Sequence, residues 1–264
     1  MKTAVKVLFA VAVLISFLLL SCKKESSADE GKQMVNVYLT DNPVNFQQVN
    51  VDIQKLELKI EVKDSAGVEH EFWEVLTIRP GVYNLLNFRN GIDTLFATGF
   101  VTRGEVKKIR ITLGGNNSIM VNGLTLPLTL KDAVVIIDAD DITEVAGSGI
   151  KIHLDFDAAG SINLGSNGLF ELLPHIRTFS DDHDGRIEGK ILPAEAGAVV
   201  VLKSSSQTLM AIPEDDGKFK IRGIKAGTVD LFIDATANGY KDTTIKNISI
   251  GSKEIKLPAI TLQK

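Results

Sequence analysis

Apolar and polar residues alternate along most of the chain beyond residue 33, and a period of two is typical of half-buried β-strands. The clearest stretch is residues 56–63, where Leu, Ile or Val alternates with a charged residue. Residues 49–53 also alternate, but their apolar side chains fall on odd numbers. The change of parity at Gln54 and Lys55 therefore predicts a bulge or bend within a long strand.

Similar patterns predict further strands at residues 108–113, 124–130, 134–137 and 150–156. Pro127 has no backbone N–H, so it predicts an edge position for the strand at 124–130. Residues 83–90, which are followed by Gly91, are predicted to form one short helix.

The last part of the chain predicts six more short strands, at residues 186–192, 198–203, 219–221, 228–235, 244–250 and 255–262. Residues 180–185 contain no apolar side chain, which indicates a linker. Short strands at this spacing are typical of sandwiches. We therefore expect an all-β fold with two β-sandwich-like domains, residues 34–179 and 186–264, on either side of a linker at 180–185.

The start of the chain has a different pattern. Lys2 and Lys6 are followed by an apolar run over residues 7–20, and charged residues begin at Lys23. A basic start, a short apolar run and a small residue at the junction indicate a secretory signal, and a spanning helix needs about 20 apolar residues. We predict that residues 1–21 are a cleaved signal peptide.

The junction at residues 19–22, Leu-Leu-Ser-Cys, resembles the lipobox of bacterial lipoproteins, and Cys22 is the only cysteine. The resemblance implies lipidation of Cys22 and attachment to a membrane; a free thiol after an ordinary signal peptide is the alternative. Residues 22–33 would then be the lipidated cysteine and a flexible, polar tether. Lys23 in place of Asp resembles outer-membrane sorting signals, and the charged residues after Cys22 resemble the surface-export signals of Bacteroidota. The predicted location is the outer membrane, with the periplasmic and cell-surface faces both open.

Charge and cysteine content narrow the function classes. The net charge is −4, and removal of Lys2 and Lys6 with the signal leaves the mature chain more acidic. Nucleic-acid binding needs a basic footprint, so that class is excluded. A single cysteine allows no disulfide within one chain, and stability must come from the apolar cores.

No catalytic residues are predicted. His70 begins a His-Glu pair without the second histidine of a zinc protease, and His153 is predicted to be solvated on the polar face of its strand. The chain also lacks a G-x-S-x-G elbow, a P-loop and a G-x-G-x-x-G motif. We therefore expect no enzyme activity and no cofactor.

Clusters of aspartates leave calcium binding as an open alternative, because calcium prefers several carboxylate and carbonyl oxygens. The candidate ligands lie at the end of one predicted strand and on one face of another: Asp138, Asp140, Asp141, Asp155 and Asp157. Turn aspartates that bond their own backbone are the alternative interpretation.

Aromatic residues decide whether glycan binding is plausible. Trp73, the only tryptophan, lies beside Phe72 in an apolar stretch and is expected to be buried. Phe219, Phe232 and Tyr240 are expected in the second core. The ligand is therefore predicted only as an unknown protein or glycan.

Two segments resemble known families. Residues 34–179 resemble the DUF4382 family of exported bacterial proteins, through Val-Asn-Val-Tyr-Leu-Thr-Asp-Asn-Pro at 35–43, Val-Asn-Val-Asp-Ile at 49–53, the strand at 104–113, Leu-Asp-Phe-Asp-Ala at 154–158 and Leu-Pro-His-Ile-Arg at 173–177. The resemblance implies a β-rich exported module and no reaction.

Residues 186–264 resemble the carboxypeptidase regulatory-like domain, a prealbumin-like sandwich. The matching segments are Ile-Glu-Gly-Lys-Ile at 187–191, Ala-Gly-Ala-Val-Val at 196–200, Asp-Gly-Lys-Phe at 216–219, Gly-Ile-Lys-Ala-Gly at 223–227 and Asn-Gly-Tyr at 238–240. The loop at 193–197 departs from the family pattern. Grouping of this fold with starch-binding sandwiches suggests glycan binding by analogy only.

Together these patterns predict a non-catalytic, lipid-anchored cell-envelope protein that acts as a binding, adhesion or scaffold module. The alternative is a carbohydrate-binding outer-membrane lipoprotein, and a more distant one is an enzyme with an aspartate-based site.

Overall fold

The computed structural model describes residues 31–42, 46–88, 92, 94–139, 142 and 149–264. The strands of the first part are β1 Lys32–Asn42, β2 Gln48–Lys63, β3 Glu69–Leu76, β4 Gly81–Asn84, β5 Thr94–Thr102, β6 Glu105–Leu113, β7 Ser118–Val121, β8 Leu124–Leu130, β9 Val134–Asp138, β10 Ile150–Asp157, β11 Ile162–Leu164, β12 Phe170–Leu172 and β13 Ile176–Phe179. Among the residues that the structure describes up to Phe179, helical structure is limited to a 3-10 turn, Leu85–Phe88, and the short helix α1, Ala158–Ser161.

Two sheets enclose the first apolar core. The smaller has the order β13-β10-β1-β5 and the larger the order β11-β12-β8-β7-β2-β6-β9, with β3 and β4 also paired to β2. The core between them draws its buried side chains from residues 35 to 172. Alternation along the strands therefore directs one face of each sheet to the core.

The long strand β2 joins two parts of the larger sheet. Its first half pairs with β4 and β7, and its second half pairs with β3 and β6. The register with β6 shifts between Ile53 and Lys55. This confirms the bulge predicted from the change of parity, which keeps both halves facing the same core.

The second part contains β14 Gly185–Leu192, β15 Val199–Lys203, β16 Thr208–Ala211, β17 Lys218–Ile224, β18 Gly227–Asp234, β19 Thr243–Ile250, β20 Glu254–Lys256 and β21 Ile260–Thr261, with 3-10 turns at Ala194–Ala196 and Thr236–Asn238. One sheet has the order β17-β14-β20, with β21 also paired to β14, and the other has the order β16-β15-β18-β19. A second core lies between them, drawn from residues 187 to 262. The all-β fold class is thus confirmed.

Three local predictions need correction. Pro127 is in β8, which lies between β7 and β12 and not at an edge. Leu128 N donates to the carbonyl of Asn117, the residue before β7. The nitrogen of Pro127 therefore faces the β12 side, where the β12 ladder begins only at Leu128. No hydrogen bond is lost there.

The predicted helix at 83–90 is also wrong in extent, because residues 83 and 84 end β4 and only Leu85–Phe88 is helical among the described residues. The predicted strand at 255–262 is split into β20 and β21, and Pro258 lies in the interruption. The sequence patterns missed β4, β5, β7, β11, β12, β13 and β16.

Residues Gln33–Lys264 form one compact unit. The residues of its two cores come before and after residues 180–185 in the sequence. The division into independent domains remains a prediction. Within the described part of the chain, none of the helices has the length and apolar character required to cross a bilayer.

Candidate functional site

Three rings form a row where the two cores meet. Tyr38 lies opposite His153 in the parallel β1–β10 register, and His153 lies opposite Phe179 in the antiparallel β10–β13 register. The ring centroids are 5.2 Å apart for Tyr38 and His153 and 4.7 Å apart for His153 and Phe179, both stacked. His153 is 3% exposed, so the prediction of a solvated histidine was wrong.

Arg222 of β17 in the second part covers this row. Its guanidinium carbon lies 5.3 Å from the Phe179 ring centroid. Its Nη2 donates to Asp181 Oδ2 at 2.5 Å and its Nε to Oδ1 at 3.3 Å. His153 Nε2 lies 3.3 Å from the same Oδ2. Burial favours the neutral form of Asp181, but hydrogen bonds from His153 and Arg222 outweigh it and hold the pKa of this carboxyl well below its usual range.

Arg177 of β13 approaches Phe179 from the first part. Its guanidinium carbon also lies 5.3 Å from the ring centroid, and the side chain forms an ion pair with buried Asp155. Nη1 donates to Gly223 O at 2.7 Å and Nη2 to Arg222 O at 3.1 Å. Phe179 is thus flanked by two guanidiniums, and one of them binds the backbone of the second part. We call Tyr38, Asp155, His153, Arg177, Phe179, Asp181 and Arg222 the junction cluster.

The predicted linker at 180–185 is a tight turn inside this junction. Ser180 N donates to Asp184 Oδ2 at 3.0 Å, and Asp184 is buried and lies 3.2 Å from Lys225 Nζ. Its polar residues therefore serve internal hydrogen bonding at Ser180 and Asp184, while Asp182 and His183 are exposed. Sequence patterns did not single out Arg177 or Arg222, because their partners are distant in the chain.

A second feature is the outer face of the larger sheet. Cross-strand register places Val75, Glu57, Arg110 and Ile136 in one row, and Trp73 in the next row opposite Lys59. The guanidinium carbon of Arg110 lies 4.1 Å from the Trp73 ring centroid. Trp73 is half-buried on this outer face, so the expectation of a buried tryptophan was wrong.

Glu57 holds Arg110 in place. It is 5% exposed, although it faces outward. It accepts from Arg110 Nε at 2.8 Å, from Arg110 Nη2 at 2.7 Å and from Lys55 Nζ at 2.9 Å. The hydrogen bond from Arg110 is the largest influence and lowers the pKa of Glu57 to about 2.

Paired charges and exposed apolar side chains surround this stack. Lys59 pairs with Glu71, and Lys108 Nζ lies 2.6 Å from Asp138 Oδ1. Val75, Val134 and Ile136 are exposed beside them. A flat indole next to oriented donors and acceptors can bind a ligand without reacting with it.

The second-part aromatics differ from one another. Phe219 is buried in the second core, as predicted. Tyr240 packs against that core, and the centroid of its ring lies 5.0 Å from Lys264 Nζ. Phe232 is half-buried in the outward row between Val201 and Thr244, which corrects its predicted core position.

Each predicted calcium ligand that the structure describes is bound to a partner within the protein. Asp138 pairs with Lys108 and Asp155 with Arg177, while Asp157 accepts from Gly160 N at 3.0 Å and caps α1. Asp140, Asp141 and the lipidation candidate Cys22 lie outside the described residues. The described part of the chain contains no group of three or more His, Cys, Asp or Glu side chains that fits a metal ion. The calcium site remains a prediction.

The enzyme alternative requires a cleft with converging carboxylates. One cleft of about 730 Å³ is lined by Leu86, Asn87, Ile92, Ile212, Pro213, Glu214, Asp215 and Asp216. The hydrogen bond from Lys218 lowers the pKa of Asp216, whereas a general acid needs a raised one. This cleft gives no support to acid catalysis by Asp216.

Comparison with known proteins identifies the first part of the chain. The family described as "Domain of unknown function (DUF4382)" matches residues 32–174. Among curated proteins, none matches the chain.

Several solved structures are distantly similar. The Bacillus anthracis TIE protein is 11% identical, with 88% of this chain and 34% of that chain covered and a TM-score of 0.24. A variant of the shaft pilin SpaA from Lactobacillus rhamnosus GG is 10% identical, with 88% and 96% covered and a TM-score of 0.24. BcpA, the major pilin subunit of Bacillus cereus, is 13% identical, with 88% and 70% covered and a TM-score of 0.21. At these TM-scores the likeness assigns no function to this chain.

Proposed function

We propose that this chain, which belongs to the DUF4382 family of domains of unknown function, is a non-catalytic, lipid-anchored cell-envelope protein that acts as a binding, adhesion or scaffold module. The junction cluster is the observation that carries the proposal. It joins the two β-sandwich-like parts through contacts that are suited to holding surfaces in a fixed relation.

The junction favours a rigid body for a physical reason. Separation of the two cores would expose buried Phe179 and would part His153 from Arg222, which both contact Asp181. It would also remove the hydrogen bonds from Arg177 to the backbone carbonyls of residues 222 and 223. Loss of one partner of a buried pair is strongly unfavourable. A module that presents binding surfaces at a set spacing needs this stiffness. In addition, the carboxylates of Asp155 and Asp181 are engaged in ion pairs with Arg177 and Arg222.

Anchoring through Cys22 determines where such a module would act. Acyl chains contribute about 0.8 kcal/mol per buried methylene, so several chains give stable attachment. A flexible tether over residues 22–33 would keep β1 within roughly 20 Å of the lipid surface. We place the protein at the outer membrane, where its ligand would be bound close to the bilayer.

The test is membrane fractionation of cells that express wild type, Cys22→Ala or the tether control Ser26→Ala. We expect wild type and Ser26→Ala in the membrane pellet and Cys22→Ala in the soluble fraction. Retention of Cys22→Ala in membranes would overturn the anchor. Protease shaving of intact cells then distinguishes the cell surface from the periplasm.

Carbohydrate binding is the second candidate, and the outward position of Trp73 favours it. Sugars bind on aromatic faces beside oriented polar groups, and Lys59, Glu71 and Arg110 provide such groups here. Because Trp73 is the only tryptophan, its fluorescence reports this face directly. Titration with soluble starch and with a soluble β-glucan should change its emission, and Trp73→Phe should lose retention in glycan-containing gels while Phe232→Ala keeps it. Unchanged emission and retention would exclude these glycans.

A further inference from the structure

Two exposed apolar side chains lie near the start of β1, on the outer face of the smaller sheet. Met34 of β1 is 41% exposed and Phe100 of β5 is 49% exposed. The two strands are neighbours in this sheet, and Thr98 Oγ1 donates to Asn36 Oδ1 at 2.8 Å. Because side chains two residues apart point to the same face of a strand, Met34 and Phe100 share the face on which Asn36 and Thr98 meet.

A second hydrogen bond gives the direction of these strands. Gln33 Nε2 donates to Gly104 O at 2.8 Å, so the beginning of β1 lies beside the turn that follows β5. The two strands therefore run antiparallel, and Met34 and Phe100 are cross-strand neighbours. Both lie at the end of the sheet where the predicted tether, residues 22–33, leads into β1.

Phe72 of β3 adds a third exposed apolar side chain near this end. It is 37% exposed and lies opposite Ile60, and a Cβ atom on Gly104 would lie 2.9 Å from Ile60 Cγ2. Phe72 and the pair of Met34 and Phe100 thus lie on two sides of the turn between β5 and β6. Trp, Phe and Leu are the side chains that interfacial segments bury at the headgroup boundary of a bilayer.

Basic side chains accompany these apolar ones. Lys151 is exposed and lies opposite Asn36 in the β1–β10 register, and Arg103 is exposed in the turn between β5 and β6. The carboxylate of Glu105, just after this turn, lies 3.0 Å from Lys107 Nζ. Lysine and arginine near a membrane surface are attracted to anionic headgroups.

We propose that Met34, Phe72 and Phe100 dock on the bilayer that holds the acylated Cys22. This inference rests on the lipid anchor proposed above. The connection of the chain selects the occupant, because Met34 directly follows a tether that keeps it within roughly 20 Å of the lipid surface. Three side chains make a weak contact, but contact with the bilayer is intramolecular once the anchor is in place, and the effective concentration is high.

Exposed apolar side chains at the opposite end of the larger sheet lie too far from the tether for the same role. Leu124 is 66% exposed, and Gly123 N beside it donates to Gln47 Oε1 at 2.7 Å. The turn at Gly104 instead lies beside Glu61. At about 3.3 Å per strand residue, roughly 45 Å of β2 separates these two ends. Docking therefore orients the first part with the Leu124 end away from the lipid.

The test is fluorescence labelling of the full chain in cell membranes. Acylation occupies the thiol of Cys22, so Phe100→Cys offers one free thiol to an NBD fluorophore. Leu124→Cys, at the exposed far end, is the matched control. We expect lipids that carry a spin label on their acyl chains to quench the fluorophore at residue 100 several-fold more than the one at residue 124.

A charge beside the label tests the docking surface itself. In Met34→Glu/Phe100→Cys, quenching should fall to the level of Leu124→Cys, because a carboxylate opposes entry into lipid. Membrane pelleting and Tm should stay unchanged, which shows that the anchor and the fold survive. Quenching that stays at the Phe100→Cys level would overturn the proposed surface.

The remaining outcomes separate docking from anchoring. Equal quenching at residues 100 and 124 in pelleted protein would overturn docking and leave the anchor intact. A fluorophore at residue 100 that is shielded from aqueous iodide but is not quenched by the spin-labelled lipid would show a protein occupant, and would also overturn lipid docking. Wild type has only Cys22, so its labelling or its loss from the membrane pellet would overturn the anchor and docking together.

Discussion

Arg177 Nη1 donates a 2.7 Å hydrogen bond to the carbonyl oxygen of Gly223. The two residues belong to strands of different sheets around different cores, and the Phe179 ring lies beside them. Gly223 has φ +66°, and a Cβ atom there would lie 2.6 Å from Phe179 Cγ and 2.6 Å from Arg177 Nη1. The backbone of the second part therefore approaches the first part as closely as a glycine allows.

Gly223→Ala should weaken the junction. The added methyl group meets a buried ring and a left-handed backbone, so we expect the free energy of unfolding to fall by about 3 kcal/mol. Urea denaturation measures the change. Gly251→Ala, where an added Cβ would meet no atom within 4 Å, is the control for the added methyl group and should change stability by less than about 0.5 kcal/mol.

Arg222→Met should uncouple the two cores. It removes the ion pair with Asp181 and the contact with Phe179, and the side chain is 8% exposed. Loss of a buried pair costs about 3–5 kcal/mol; we expect about 2 kcal/mol because Asp181 is 37% exposed. Calorimetry should show one transition broadening or splitting into two. Arg186→Met, whose Nη1 lies 3.6 Å from Asp181, should leave a single transition, and equal effects would argue against a special role for Arg222.

Glu57→Gln should destabilise the protein in a pH-dependent way. The folded pKa of Glu57 is about 2, compared with 4.5 for the ordinary carboxyl. A lowered folded pKa contributes stability that is fully present above pH 4.5 and is lost as the pH falls towards 2. The difference between wild type and Glu57→Gln should be about 2 kcal/mol at pH 7 and should shrink between pH 4.5 and 2. Denaturation curves across this range, with the half-buried Glu61→Gln as control, measure it.

Gly114→Ala should disturb the turn after β6. A Cβ atom there would lie 2.2 Å from Asp52 Oδ2, and buried Asp52 accepts from Asn116 N at 3.2 Å and Asn116 Nδ2 at 3.1 Å. We expect a loss of about 1–3 kcal/mol, which lowers Tm by about 2–4 °C per kcal/mol. Gly115→Ala, with no atom near its added methyl, should keep the wild-type Tm; a similar drop in both would show that the Asp52 contact is not the cause.

Local patterns predicted the strands in which apolar and polar residues alternate clearly, such as β2 and β6. The bulge at Ile53 and Lys55 followed from parity alone, because one residue of slip exchanges the two faces of a strand. The edge position predicted from Pro127 was wrong because a proline is accepted in this inner strand. It is accepted since the ladder with β12 begins only at Leu128, and the start of β12 cannot be seen in the sequence around Pro127. Val134 and Ile136 were recognised as strand residues, but no local pattern says that β9 is the last strand of the larger sheet among the described residues.

The sequence by itself determined the all-β class, the positions of the clearly alternating strands and the resemblance to DUF4382, since side-chain alternation and turn residues act locally. Only the tertiary structure decided that His153 is buried, that Trp73 faces outward and that residues 180–185 form a junction turn. Each of these depends on partners far along the chain: Arg222 for His153, Arg110 for Trp73, and Lys225 for Asp184. A polar residue in a strand is therefore expected to be exposed to solvent, but a second sheet can bury it by supplying a charged partner, as Arg222 does for His153.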